Sequence, residues 1–158
     1  MGTGEAHYPK AESECIRPAA DRFVKQYTQS GNWQTEDMQA LKDEFDRMAL
    51  AADELKLAES NLPLTREIAP WITAFGLWAQ MGQETLALAE AATENDPKAF
   101  DYALKRIGLL KRLLEKNNQE TRPASIGTAV IQPFVRTVSE NAVRRLNGQN
   151  QTNLNSVF

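Results

Sequence analysis

Cysteine and histidine are almost missing from this chain: Cys15 and His7 are the only ones in 158 residues. One thiol closes no intrachain disulfide and builds no thiolate metal cluster. One imidazole cannot furnish the two Glu-x-x-His pairs that a di-iron bundle needs. A nucleophile-and-base pair of Cys15 and His7 would sit in a poorly patterned N-terminal stretch without a rigid scaffold, so Cys15 is read as a flexible or packed residue without chemistry. No metal or cofactor is expected. No apolar run reaches the roughly 20 residues of a membrane-spanning helix, and a formal net charge of -3 lacks the basic excess that phosphate-backbone binding draws on. Membrane and nucleic acid are therefore not expected partners. The start, Met1-Gly2-Thr3-Gly4-Glu5, has no apolar signal core, and Ala6 stands where an acylation motif has Ser or Thr. Met1 to Gly4 is read as an expression remnant or a free tail, with no precursor expected.

What is present is helical periodicity. A hydrophobic fraction of 42% and a charged fraction of 25% describe an ordinary globular chain, and the length suits one domain. From Leu64 to Ala92, apolar residues recur at helical spacing around Pro70-Trp71 and include Ile68, Ile72, Phe75, Trp78, Met81 and Leu86. Trp71, Phe75 and Trp78 on one face would each bury about 150–250 Å², which places this helix at the centre of the core. Pro70 predicts a kink or a late helix start. Gly76 and Gly82 each cost up to about 1 kcal/mol inside a helix, and close approach of a neighbouring helix is the expected compensation.

Four further helices follow from the same pattern. The first runs from about Arg17 to Gln29, with Phe23, Val24 and Tyr27 inward, Pro18 in its first turn and Ser30-Gly31-Asn32 ending it. The second has Thr35 as N-cap, Glu36 and Asp37 at the positive end of the dipole, and a heptad-like seam of Met38, Leu41, Phe45, Met48, Ala52 and Leu55. Asn61-Leu62-Pro63 breaks it. After Asn95, Asp96 caps and Pro97 opens a helix with Phe100, Ala103, Leu104, Ile107, Leu110 and Leu114 inward, fading near Asn117-Asn118. The last, about Thr128 to Leu146, carries Pro133 within its pattern and takes Asn147-Gly148 as its C-cap. No strand alternation of useful length occurs. The expected fold is all-α, an up-and-down bundle of about four to five helices over residues 17–148, with 1–16 a flexible segment and 149–158 a polar tail or linker.

Candidate chemistry is sparse. The carboxylate pairs Glu36-Asp37, Asp43-Glu44 and Asp53-Glu54 point about 100° apart on a helix and read as a solvent face. Lys105, Arg106, Lys111, Arg112, Lys116 and Arg144-Arg145 read as solvated cations, some favoured by C-terminal dipoles. Asn150-Gln151-Thr152 matches a glycosylation sequon too common to carry weight. Trp71 and Trp78 are assigned to the core, whereas Trp33, beside Gly31 and Asn32, is free to contact a partner. Trp33 and Tyr27 are the candidate interface residues, and no catalytic, cofactor or metal residue is assigned.

The order Glu67-Ile68-Ala69-Pro70-Trp71-Ile72, then Phe75-Gly76 and Gly82, an Asp-Pro-capped helix, and Val130-Ile131-Gln132-Pro133-Phe134-Val135 resembles a known bundle. It is the helical domain behind the catalytic barrel in bacterial members of glycoside hydrolase family 84, the O-GlcNAcase and hyaluronidase-type β-N-acetylglucosaminidases. The resemblance runs from about Phe45 to Leu146. It implies a larger exo-glycosidase, secreted, periplasmic or on the cell surface, that hydrolyses by substrate assistance with neighbouring aspartates on its barrel. This chain has no adjacent Asp pair and is too short for a barrel of about 250 residues. The implied role is therefore a supporting one: packing on the catalytic barrel or linking it to accessory modules and, as in some members, dimerising or lining the substrate cleft. The competing reading is a free-standing interaction or dimerisation bundle.

Overall fold

The computed structural model describes residues 12–59, 69–118 and 130–150, and among these there are five helices and no strand. They are α1 (Glu12–Ser30), α2 (Thr35–Glu59), α3 (Ala69–Thr93), α4 (Pro97–Asn118) and α5 (Gln132–Asn150). His7, Leu64, Ile68, Thr128 and the sequon's Gln151-Thr152 lie outside the described residues, as does the Asn61-Leu62-Pro63 breaker.

The helices alternate in direction. Arg22 on α1 meets Asp37 at the start of α2, Phe45 and Ala52 of α2 face Gly82 and Gly76 of α3, and Asn117 at the end of α4 donates to the carbonyl of Pro70. α5 runs parallel to α1, since Phe134 approaches Phe23 and Arg145 reaches Tyr27. α1, α2, α3 and α5 close a four-helix ring, and α4 packs on the outer side of α3. α3 is thus flanked by α2, α4 and α5, and it is buried on more than one face: Ala74, Met81, Leu88 and Ala92 lie inside together with Ile72, Trp78 and Leu86. Its helix also begins late, with Pro70 in the second position, where a missing N–H costs no helical bond.

The two glycines of α3 do what their cost demands. A Cβ at Gly82 would lie 2.4 Å from the Phe45 ring, and one at Gly76 would lie 3.1 Å from the Ala52 Cβ. The two close contacts are seven residues apart on α2 and six apart on α3, so the pair of helices approaches closely across that stretch. The turn after α3 is set by Asn95, held at φ 55°, with the Asn95 N–H donating to the Ala92 carbonyl and the Asp96 N–H to the Ala91 carbonyl, the paired pattern that closes a helix end. Asp96 then caps α4 by accepting from the Ala99 N–H at 3.1 Å.

Several local expectations are corrected. α1 begins at Glu12, so Pro18 lies inside the helix, on an exposed position where water can serve the carbonyl it leaves unbonded. Thr35 is the first helical residue of α2 and not its cap: the Met38 N–H donates to the Gln34 carbonyl, which makes Gln34 the capping position. α5 starts only at Gln132, after a wider π-type turn at Val130-Ile131, and it continues through Asn147-Gly148 to Asn150. Leu55 and Trp71, expected in the core, are 47% and 39% exposed. Their stripes outrun their cover: α1 and α5 each have 19 residues against 25 in α2 and α3, and Phe134, near the start of α5, sits level with Phe45.

Candidate functional site

Trp33 and Tyr27 are brought together, but inward. Tyr27 is fully buried on α1, and Trp33, in the four-residue connection to α2, is half-buried against the core. Trp33 stacks on Phe23 at 5.3 Å and lies 5.8 Å from Tyr27, while Phe134 reaches Phe23 at 5.9 Å and Phe45 at 6.0 Å. Ring pairs of this kind add about 0.5–1.5 kcal/mol each beyond burial. Together they lock α1, α2 and α5 into one unit. Tyr27 therefore offers no surface to a partner, and Trp33 offers only its outer edge.

The polar partner of this cluster is Arg145 of α5. Its Nη2 donates to the Tyr27 carbonyl at 2.7 Å and to the Thr28 carbonyl at 3.4 Å, and its guanidinium carbon sits 5.2 Å from the Tyr27 ring centre. A cation at the C-terminus of α1 meets the negative end of the helix dipole, adding a second donor to the Tyr27 carbonyl, which also accepts from the Gly31 N–H at 2.9 Å, and serving the Thr28 carbonyl in the last turn. Gly31 makes room for it: the residue has φ 77°, and a Cβ there would lie 2.4 Å from the guanidinium. Asn141 extends the seam, donating to the Thr137 carbonyl at 2.9 Å and to the Thr28 hydroxyl at 3.4 Å. Arg145 is thus a structural cap rather than the solvated cation its Arg-Arg context suggests. The signal for it lies in the pairing of a left-handed glycine with a distant arginine, which no local window contains.

The chemistry available is limited. Burial pushes the Tyr27 phenol up to about 12, against a smaller lowering by Arg145, so it holds its proton throughout the neutral range. Among the described residues no group of three His, Cys, Asp or Glu could hold a metal. Asp37 departs from the solvent-face expectation, being buried and bound at 2.9 Å by Arg22. Glu44 pairs with Arg47, Arg106 with Glu84 and Lys105 with Asp101. A cleft of about 260 Å³ opens between α1 and α5, walled by Arg17, Asp21 and Lys25 over Val24, Pro133 and Phe134. It is below the roughly 300–1,000 Å³ of small-molecule sites.

The surface also presents large apolar side chains. Leu50, Leu55 and Leu57 on α2, Trp71 on α3, and Tyr102, Leu109 and Leu113 on α4 are exposed. The sequence reading missed Leu50, Leu57, Tyr102, Leu109 and Leu113, although their spacing of about seven along each helix is visible in the chain. No helix among the described residues is long and apolar enough to cross a membrane. Compared with known families, residues 12–138 match the family model described as the post-catalytic domain of bacterial GH84, which covers α1 to α4 and the first turns of α5.

Proposed function

Because this chain belongs to the post-catalytic helical domain family of bacterial GH84, we propose that it is a non-catalytic bundle that supports the catalytic barrel of a glycoside hydrolase or links it to accessory modules. The observation that carries this reading is the family match from Glu12 to Val138. It agrees with polar contacts that tie helices to one another, among them Arg22 with Asp37, Arg106 with Glu84 and Arg145 with the Tyr27 carbonyl. The parent enzyme is a β-N-acetylglucosaminidase of the O-GlcNAcase or hyaluronidase type, exported or held at the cell surface, and it works by substrate-assisted hydrolysis with an acetamido nucleophile. Its reacting groups reside on the barrel, and none is assigned to this bundle. The partner of the bundle within that protein is the barrel.

Reading the native gene on the 5′ side of this segment tests the proposal. The expected result is a continuous frame in which a barrel-length α/β region with two adjacent aspartates precedes Glu12. A stop codon and an initiation site immediately before Met1 would overturn it. The exposed leucines on α2 and α4 favour a second reading, in which the bundle also associates with a protein surface of its own kind.

A further inference from the structure

α4 packs on the outer side of α3 and turns its other face to solvent. Its buried residues Phe100, Leu104, Ile107 and Leu114 share one side, and opposite them run two parallel rows. At about 100° per residue, Lys98, Lys105, Arg112 and Lys116 fall within about 40° of one another, and Tyr102, Leu109 and Leu113 fall within about 40° of one another beside them. All seven are exposed, Tyr102 at 64% and the leucines at 41% and 42%. Lys98, Arg112 and Lys116 make no ion pair among the described residues. Lys105 meets Asp101 at 2.9 Å, an exposed pair of little strength. Asp101 and Glu115 fall on the flank of the basic row away from the apolar one, and Arg106, on the other flank, is tied to Glu84 of α3. The chain's net charge of -3 is therefore unevenly spread. α4 holds six cations and two acids, an excess of four. The exposed acids of α2 lie beyond α3, two interhelical spacings of about 8–10 Å away. That is about twice the Debye length of ~8 Å at physiological salt, so they do not cancel the field over α4.

We infer that α4 is a docking surface for an anionic lipid bilayer, lying in the plane of the headgroups with its basic row against them and Tyr102, Leu109 and Leu113 in the apolar margin beneath. Two observations select this occupant. The cations call for a negative partner, and the leucines beside them call for an apolar phase that adjoins that charge along about 27 Å of helix. A bilayer supplies both without a shaped pocket, and Lys and Arg reach from the apolar margin to the headgroups on their own methylene stems. A membrane surface, unlike a membrane span, needs no long apolar run. With six cations and two acids α4 is too polar to cross the bilayer, so it lies on it. Leu50 and Leu57 belong to α2, on the far side of α3, and take no part. The inference does not rest on the parent-enzyme reading, because it is read on α4 alone.

The test is co-sedimentation of the full chain with vesicles of phosphatidylcholine alone and of phosphatidylcholine mixed with phosphatidylglycerol. The wild type is expected to pellet with the mixed vesicles, to stay in solution with phosphatidylcholine alone, and to be released as salt is raised. Each cation near an anionic surface gives about a fivefold gain in partitioning, so Lys98→Gln/Lys116→Gln is expected to weaken binding about 25-fold. Leu109→Ser/Leu113→Ser is expected to weaken it about tenfold at unchanged charge. If a variant loses helical circular dichroism, Lys105→Gln/Arg112→Gln or Tyr102→Ser replaces it, with weakening again expected. A wild type that stays in solution with both kinds of vesicle overturns the inference and leaves α4 to a protein partner. Binding indifferent to the leucine variant overturns it as well, since the cations then serve a polyanion that has no apolar layer. Equal pelleting with phosphatidylcholine alone, or binding indifferent to the lysine variant, overturns it on the side of charge.

Discussion

Gly31 sits at φ 77° beneath the Arg145 guanidinium, so an alanine there meets two obstacles that have separate origins. The left-handed backbone costs an L residue about 1–2 kcal/mol, and the new Cβ displaces the arginine that caps α1. Gly31→Ala is expected to lower stability by about 2–3 kcal/mol in urea denaturation. In an Arg145→Ala background the same change should cost about half as much, because only the backbone component remains. Tyr27 gives a pH-dependent counterpart. Its folded-state pKa, about 12 through burial, stands above the unfolded value near 10. The folded chain therefore keeps a proton that the unfolded chain has released, and the stability present below pH 10 falls as pH rises from 10 to 12. Tyr27→Phe is expected to flatten that fall by about 2–3 kcal/mol. At neutral pH it should leave stability unchanged or slightly raised, since the buried hydroxyl has no partner among the described groups. Equilibrium unfolding from pH 8 to 12 measures both.

At the scale of the elements, the glycines separate close packing from open space. Gly82→Ala drives a methyl into the Phe45 ring and should cost about 1–3 kcal/mol by forcing α2 from α3. Gly108, in α4, has nothing within 4 Å of a Cβ, and Gly108→Ala should raise stability by about 0.5–1 kcal/mol through helix propensity alone. Paired thermal melts read the opposite signs. These cases also explain what could be read in advance. Asp96-Pro97, the Met38–Ala52 seam and the compensation for Gly76 and Gly82 follow from chemistry within one or two turns, and the structure matches each. Leu55 and Trp71 belong to the same stripes, yet they surface, because spacing gives a residue's face and not how far the neighbouring helix extends. The starts of α1 and α5 and the capping role of Arg145 depend on partners more than a hundred residues away in the chain, or on cover that no window reports.

For the molecule as a whole, an order of short motifs carried more than composition did. Helical class and a single core followed from periodicity, and α3 lies at their centre as its all-round apolar sequence requires. Kinship followed from the order of Glu67-Ile68-Ala69-Pro70-Trp71-Ile72, Phe75-Gly76 and Gly82, the Asp96-Pro97 cap and Val130-Ile131-Gln132-Pro133-Phe134-Val135, a series that includes the residues that start helices and let them approach. Tyr27 lies in the core and Trp33 half-buried against it, because the position of a turn residue beside glycine is set by the aromatic cluster it closes and not by its neighbours in sequence. As proposed, this bundle stabilises a catalytic barrel without taking part in the chemistry. The most direct measurement is hydrolysis of a chromogenic β-N-acetylglucosaminide, together with the melting temperature, for the 158-residue chain, for the longer polypeptide carrying it, and for that polypeptide lacking residues 12–150. No turnover by the chain, turnover by the longer protein, and a truncated form that melts several degrees lower while retaining its kcat when folded are predicted. Turnover by the chain alone, or truncation that leaves the melting temperature unchanged, would contradict the account.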